Sequence, residues 1–167
     1  MAFSSVSMTR VLIIGTTFNF CLDCFTYHRS SFLYYAMTTP TLWVIDDDED
    51  DQLFIRSAFE QNDPPISVLV LDDGDELLPK LSGCAQLPKL ILLDVNMPRS
   101  NGFETLEKLR EVPRFADLPV VMLTTSSSRY DCERSMALGA NHFLTKPHCY
   151  EQLKQMVKEL SQKWQLV

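Results

Sequence analysis

Residues 90–98 read Leu-Ile-Leu-Leu-Asp-Val-Asn-Met-Pro, so that four apolar residues run directly into Asp94. A continuous apolar run without polar alternation is typical of a strand buried on both faces, as in a parallel sheet covered by helices. Asn96, Pro98 and Gly102 favour a turn after it, which places Asp94 at the carboxyl end of that strand. Ligands of open parallel sheets bind at this edge, so Asp94 is a candidate site residue. An aspartate at this position is equally often a helix cap or a turn residue.

The chain from residue 41 alternates apolar runs with helical periodicity five times. The predicted strands cover residues 42–45, 68–71, 90–93, 119–123 and 142–144. The predicted helices begin within the acidic run 46–51 and then cover about residues 75–81, 101–111, 129–138 and 150–164. The first helix is expected to present a core face made of Phe54, Ile55, Ala58 and Phe59, and Pro79 predicts a short or bent second helix. This alternation implies an α/β fold with a parallel sheet and helices on both faces.

Composition and charge exclude several classes of partner. The 167 residues carry a formal net charge of −7, with 46% apolar and 22% charged residues, as in ordinary globular proteins. Because no cluster of Lys and Arg is present, no nucleic-acid partner is expected. The five cysteines are odd in number and scattered, which favours a reduced, cytoplasmic setting. Cys21 and Cys24, near His28, form a lone CxxC pair that would be only half of a zinc site.

The first forty residues differ from the rest. Residues 11–24 are partly apolar, but polar residues interrupt them well short of the roughly 20 apolar residues of a membrane span, so no membrane partner is expected. We interpret residues 1–40 as a dispensable N-terminal extension, either disordered or translated from upstream of a true start at Met37. Residues 41–167 then form the functional domain.

Four of the predicted strands end in polar side chains that the fold would bring to one edge. Asp46 and Asp47 follow the first strand, Asp94 the third, Thr124 ends the fourth and Lys146 follows the fifth. Three carboxylates repel one another, and a bound Mg²⁺, which prefers carboxylate and phosphate oxygens, would relieve this. A phosphoryl group on Asp94 could satisfy its oxygens with Mg²⁺, the lysine ammonium and the threonine hydroxyl.

From residue 42 to about residue 164 the chain resembles the receiver domain of two-component response regulators. Besides the strand-end residues, the shared motifs are Asn96-Met97-Pro98, Gly102, Phe143 and Lys146-Pro147. The resemblance implies a flavodoxin-like, doubly wound, five-stranded parallel sheet of order 2-1-3-4-5 with helices on both faces. It also implies that Asp94 is the phosphoacceptor and that a sensor histidine kinase or a phosphotransfer protein supplies the phosphoryl group.

The resemblance assigns further roles at this edge. Asp47 and Asp94 would bind Mg²⁺ through their side chains, Asn96 through its backbone carbonyl, and Asp46 directly or through water. Lys146 would bind the phosphoryl group, and the Lys146–Pro147 peptide is expected to be cis.

The resemblance also implies a switch. Thr124 would turn toward the phosphoryl group, and the aromatic ring of Phe143 would move inward with it. This alters the face formed by the fourth helix, the fifth strand and the fifth helix, where a protein target, as yet unidentified, or a second copy would bind. Phe143 lacks the hydroxyl of a tyrosine, so it would act by packing, and Ser126 occupies a position that helps set the lifetime of the phosphoryl group.

The expected function is that of a stand-alone receiver, because the closing helix ends with the sequence at Val167. No enzymatic activity is expected beyond self-catalysed phosphotransfer and autodephosphorylation. One alternative is a phosphatase of the haloacid-dehalogenase type, but Asn96 stands where such enzymes carry a second, proton-donating Asp. The other is a non-phosphorylated receiver that acts only as a binding module, which would typically have lost an acid or the lysine.

Overall fold

The computed structural model describes residues 8–13, 16–21 and 41–167, and the chain divides into two units between Thr38 and Thr39. In the first unit, β1 (Met8–Ile13) and β2 (Thr16–Cys21) pair as an antiparallel hairpin. Sequence reasoning did not predict these strands. Cys24 and His28 of the half zinc site lie outside the described residues, as does Met37, so the interpretation of residues 1–40 stays a prediction.

The second unit is built on a parallel sheet. Its five strands are β3 (Leu42–Ile45), β4 (Val68–Leu71), β5 (Leu90–Leu93), β6 (Val120–Thr124) and β7 (His142–Thr145). They lie in the order β4-β3-β5-β6-β7, which confirms the predicted order 2-1-3-4-5. Ile45 is opposite Leu71 on one side and Leu93 on the other, so the carboxyl ends of the three strands are level.

Within residues 41–167, five helices accompany this sheet. They are α1 (Glu49–Glu60), α2 (Leu77–Gly83), α3 (Gly102–Glu111), α4 (Arg129–Ala137) and α5 (Tyr150–Lys163). A 3-10 turn at Gly74–Glu76 precedes α2, which is short, as predicted, but begins two residues later than the predicted range 75–81. Pro79 lies in the first turn of α2. The backbone N–H groups of a first turn have no partner within the helix, so the N–H that proline lacks costs no helical hydrogen bond. None of the helices in the described ranges combines the length and apolarity that a membrane crossing requires.

Alternate residues of the central strands enter two separate cores. Trp43 and Ile45 face a cluster that includes α2 and α3, whereas Leu42 and Val44 face a cluster that includes α1 and α5. Successive side chains of a strand point to opposite faces, so a strand buried on both sides must be apolar throughout. This is why the runs at β3 and β5 lack polar alternation.

The prediction that Phe54 faces the core was wrong. Ile55, Ala58 and Phe59 are buried, but Phe54 is 54% exposed. With 3.6 residues per turn, the buried arc centres close to Ile55, and Phe54 lies about 90° from that centre. It therefore sits at the margin of the apolar face of α1.

Candidate functional site

Three carboxylates meet at the carboxyl end of the sheet. Asp46 follows β3 and Asp94 follows β5, and since these strands are neighbours in register, the two side chains lie side by side. One carboxylate oxygen from each of Asp46, Asp47 and Asp94 lies within 4.8 Å of the others. Asp46 and Asp94 are buried, whereas Asp47 is exposed. The cluster therefore has an inner pair of acids and one acid open to solvent.

Lys146 extends from the end of β7 across these acids. Its backbone N–H donates to the carbonyl of Thr124, which anchors it to β6. Its Nζ lies 2.7 Å from Asp46 Oδ2, 2.7 Å from Asp51 Oδ2 and 3.5 Å from Asp94 Oδ2. The lysine side chain is only 10% exposed, so the ammonium is held by carboxylates rather than by water.

Asp51 is the site residue that sequence reasoning missed. The acids of the first turn of α1 have an ordinary explanation in the helix dipole, which favours negative charge there. The structure shows that Asp48 is the N-cap and accepts hydrogen bonds from the backbone N–H groups of Asp50 and Asp51. Asp51 is thus the third helical residue, and a side chain at this position can reach back past the cap. This position in the sequence could have identified Asp51 as a site residue.

Burial and neighbouring carboxylates together set the electrostatics of this edge. Burial raises the pKa of Asp46 to about 6, against the lowering effect of its hydrogen bond to Lys146. Burial alone would lower the pKa of Lys146, but hydrogen bonds to Asp46 and Asp51 outweigh it, so that pKa is raised. Both shifts mean that the site favours additional positive charge. An all-oxygen donor set with this bias fits a hard divalent cation held by Asp46, Asp47 and Asp94.

Asp46→Asn is expected to stabilise the metal-free protein at about pH 7.5 by about 1 to 3 kcal/mol. The native carboxyl has a pKa of about 6 against an ordinary 3.8, so the native state holds this proton more tightly than the unfolded state. The penalty for ionising Asp46 is therefore complete above about pH 6 and declines as the pH falls toward 3.8. Urea unfolding with a chelator measures it, and the advantage of the variant should shrink at about pH 5. An equal advantage at both pH values would contradict this account.

Thr124 lies at the end of β6 with its side chain fully buried. Its Oγ1 accepts hydrogen bonds from Asn96 Nδ2 at 3.2 Å and from the backbone N–H of Ser126 at 3.3 Å. Neither bond uses the hydroxyl hydrogen of Thr124, which remains available for donation. Ser126 in turn donates through Oγ to Asp131 Oδ2 at 2.5 Å, which ties the loop after β6 to the first turn of α4.

Phe143 and the Lys146–Pro147 peptide complete the set of predicted residues. Phe143 lies on β7 and is half-buried, packed against the cluster that contains α2 and α3. The prediction of a cis Lys146–Pro147 bond was wrong, because in residues 41–167 the cis peptide is Asp63–Pro64. The two isomers of a bond before proline differ by only about 0.5 to 1 kcal/mol, so the dipeptide alone does not determine the isomer.

Comparison with known proteins gives a consistent result. The model of the response regulator receiver domain matches residues 42–158. The probable methanogenesis regulatory protein FilR2 of Methanothrix harundinacea is 33% identical over 125 residues, which cover 72% of this chain and 81% of that protein.

Two solved structures share the fold. The phosphorylated cyanobacterial phytochrome response regulator RcpA has a TM-score of 0.70 and 31% identity, covering 77% of this chain and 95% of that one. The Mn²⁺-bound form of response regulator Rcp1 has a TM-score of 0.65 and 28% identity, covering 75% and 94%. The sheet order, the acids at its edge and the match over residues 42–158 agree, and the chain belongs to the response regulator receiver domain family.

Proposed function

We propose that this protein is a response regulator that accepts a phosphoryl group on Asp94 from a histidine kinase or a phosphotransfer protein. The observation that carries the proposal is the position of Asp94, a buried carboxylate that has two further acids and the ammonium of Lys146 around it. Oδ1 of Asp94 accepts a hydrogen bond from the backbone N–H of Val95 at 2.7 Å. Oδ2, which faces Lys146, is then the oxygen that attacks phosphorus.

In the transfer step, one bond to phosphorus forms as another breaks. Asp94 Oδ2 forms a bond to phosphorus as the bond from phosphorus to the donor's imidazole nitrogen breaks, and that nitrogen takes up a proton. The Lys146 ammonium pairs with one phosphoryl oxygen, and the Thr124 hydroxyl donates its unused hydrogen to another. When Mg²⁺ is bound, it supplies further charge compensation for the phosphoryl oxygens. Asp46, Asp47 and the backbone carbonyl of Asn96 are the residues that we propose as its ligands, together with Asp94.

Two relatives support the choice of chemistry. The structure of RcpA is that of a phosphorylated response regulator, and the structure of Rcp1 contains Mn²⁺. Mn²⁺ and Mg²⁺ share a preference for octahedral oxygen ligands, so the acids that accept one suit the other. We propose Mg²⁺ as the ion of this protein.

A phosphatase that turns over external phosphoesters is the less favoured function. Such turnover needs a group that protonates the leaving oxygen, and an amide cannot do so. Asn96 occupies that place and is exposed, and its side-chain nitrogen donates to Thr124. We propose that phosphotransfer to Asp94 and autodephosphorylation are the only reactions of this domain.

The output would be a protein contact on the face formed by α4, β7 and α5. On α4, Tyr130 is 68% exposed and Met136 is 47% exposed, which is apolar surface suited to a partner or to a second copy. Thr124 ends β6 next to β7, on which Phe143 is half-buried against the core cluster. We propose that movement of these two residues links phosphorylation to this face.

Intact-mass spectrometry tests the proposal directly. Incubation with Mg²⁺ and a small phosphodonor such as phosphoramidate is expected to add the mass of one phosphoryl group to the wild type. Asp94→Asn should gain nothing, whereas Asp73→Asn, which removes another buried carboxylate, should still gain it. A wild type that gains no mass would contradict the proposal and favour a binding module without phosphorylation. Continuous hydrolysis of a phosphoester that Asp94→Asn abolishes would favour the phosphatase.

A further inference from the structure

The ammonium of Lys146 is shared unequally among its carboxylates. It lies 2.7 Å from an oxygen of Asp46 and 2.7 Å from one of Asp51, but 3.5 Å from Asp94 Oδ2. Asp46 is buried, whereas the side chain of Asp51 is 37% exposed. The phosphoacceptor is therefore the most distant of the three acids, and Asp51 is the partner that water can most easily replace.

Asp51 also has space into which its side chain can move. Asp51 and Lys146 line a cavity of about 280 Å³ that Phe54, Cys149 and Tyr150 also line. The backbone of Asp51 is fixed, because its N–H donates to Asp48 Oδ1 at 3.0 Å. The carboxylate can leave Lys146 by rotation of its own side chain, and α1 can stay in place.

We propose that Asp51 is a positioning residue that holds the Lys146 ammonium away from Asp94 until a phosphoryl group arrives there. The inference rests on the proposed function, because it needs a phosphoryl group on Asp94. A phosphoryl group carries more negative charge than the single carboxylate of Asp51, so the ammonium moves to it. The carboxylate of Asp51 then turns to the cavity and to solvent. No covalent bond changes in this exchange, and Asp51 lowers the affinity of the site for the phosphoryl group.

Asp50 offers a matched control for the charge of Asp51. Both residues lie in the first turn of α1, and both donate a backbone N–H to Asp48 Oδ1 at 3.0 Å. Among the described residues, the recorded ion pairs of Lys146 are with Asp46, Asp51 and Asp94. Asp50→Asn therefore removes the same charge from the same turn and leaves Lys146 with its contacts.

The test is a titration with beryllium trifluoride, a tetrahedral analogue of a phosphoryl group, at saturating Mg²⁺. ¹⁹F NMR measures the fractions of bound and free analogue, and hence its affinity, for wild type, Asp51→Asn, Asp51→Glu and Asp50→Asn. Asp51→Asn is expected to bind the analogue roughly two- to five-fold more tightly than wild type, the range expected for loss of a partly exposed ion pair that competes for Lys146. Asp51→Glu, which keeps the charge and can reach Lys146, and Asp50→Asn should bind as the wild type does.

A second readout needs no phosphoryl group. The ¹⁵N-¹H signal of the Lys146 ammonium in the free protein should shift in Asp51→Asn and stay in place in Asp50→Asn. Wild-type binding that is saturable but unchanged or weakened in Asp51→Asn would overturn the role of Asp51 and leave the proposed function intact. Equal tightening in Asp50→Asn would show a general charge effect and overturn it as well. A wild type that binds no analogue would overturn the proposed function, and with it the competition at Lys146.

Discussion

Lys146→Met is expected to slow phosphorylation of Asp94 by a factor on the order of 10² to 10³. The ammonium is the one cationic side chain that the described structure places against Asp94, with Nζ 3.5 Å from Oδ2. Its side chain is 10% exposed, so water cannot take its place beside the transferring phosphoryl oxygens. Initial rates with a small phosphodonor at saturating Mg²⁺, followed by intact mass, give the size of the effect.

Lys154→Met is the matched control for that loss. The Lys154 side chain is 49% exposed and pairs with Glu151 at 3.3 Å, one turn along α5, so its removal should leave the rate unchanged. A rate for Lys146→Met within about three-fold of wild type, in a variant that stays folded, would contradict the role given to the ammonium. Lys146→Met also leaves buried Asp46 without its ion-pair partner, which favours unfolding. Circular dichroism shows whether the variant is still folded.

Gly102→Ala is expected to destabilise the protein by about 2 to 4 kcal/mol and to disturb the phosphoacceptor loop. A Cβ at residue 102 would overlap the backbone carbonyl oxygen of Asp94, and it would lie 2.9 Å from Val95 Cα. Backbone atoms cannot rotate away as a flexible side chain does, so the start of α3 must move relative to the end of β5. Urea unfolding measures the loss of stability, and the phosphorylation rate measures the disturbance of Asp94.

Gly83→Ala is the control, because nothing lies within 4 Å of a Cβ at that position. Gly83 is the last residue of α2, and alanine is the better helix former by up to about 1 kcal/mol. The variant should be as stable as wild type or slightly more so, with an unchanged phosphorylation rate. If Gly102→Ala and Gly83→Ala had equal stability, the close approach of α3 to Asp94 would not be a determinant of this fold.

The sheet and its edge could be predicted because two rules act at once. Strands buried on both faces must be apolar throughout, which made β3 and β5 visible in the sequence, and parallel strands end at one edge. Asp46, Asp47 and Asp94 therefore met in the structure as the sequence predicted. The same argument placed Lys146 at this edge, since it follows the last strand of the sheet.

The rest depends on side-chain geometry that a pattern does not contain. Asp51 has an adequate explanation in the helix dipole, and only coordinates show that its carboxylate reaches Lys146. Phe54 fits a helical period, but its position depends on where the arc of α1 meets the sheet. The isomer of Lys146–Pro147 is decided by a small energy difference that the surrounding loop sets. The hairpin of β1 and β2 followed no period that would identify it.

The central claim is that the phosphoryl group resides on the carboxylate of Asp94. An aspartyl phosphate is an acyl phosphate, so borohydride reduces that carboxyl to an alcohol and leaves ordinary carboxyls unchanged. Peptide mass spectrometry of the protein treated with phosphodonor and Mg²⁺, then with borohydride, is expected to find the reduced residue at position 94. Reduction at Asp46, Asp47 or Asp51 instead, or a phosphoryl group that borohydride does not displace, would contradict the account.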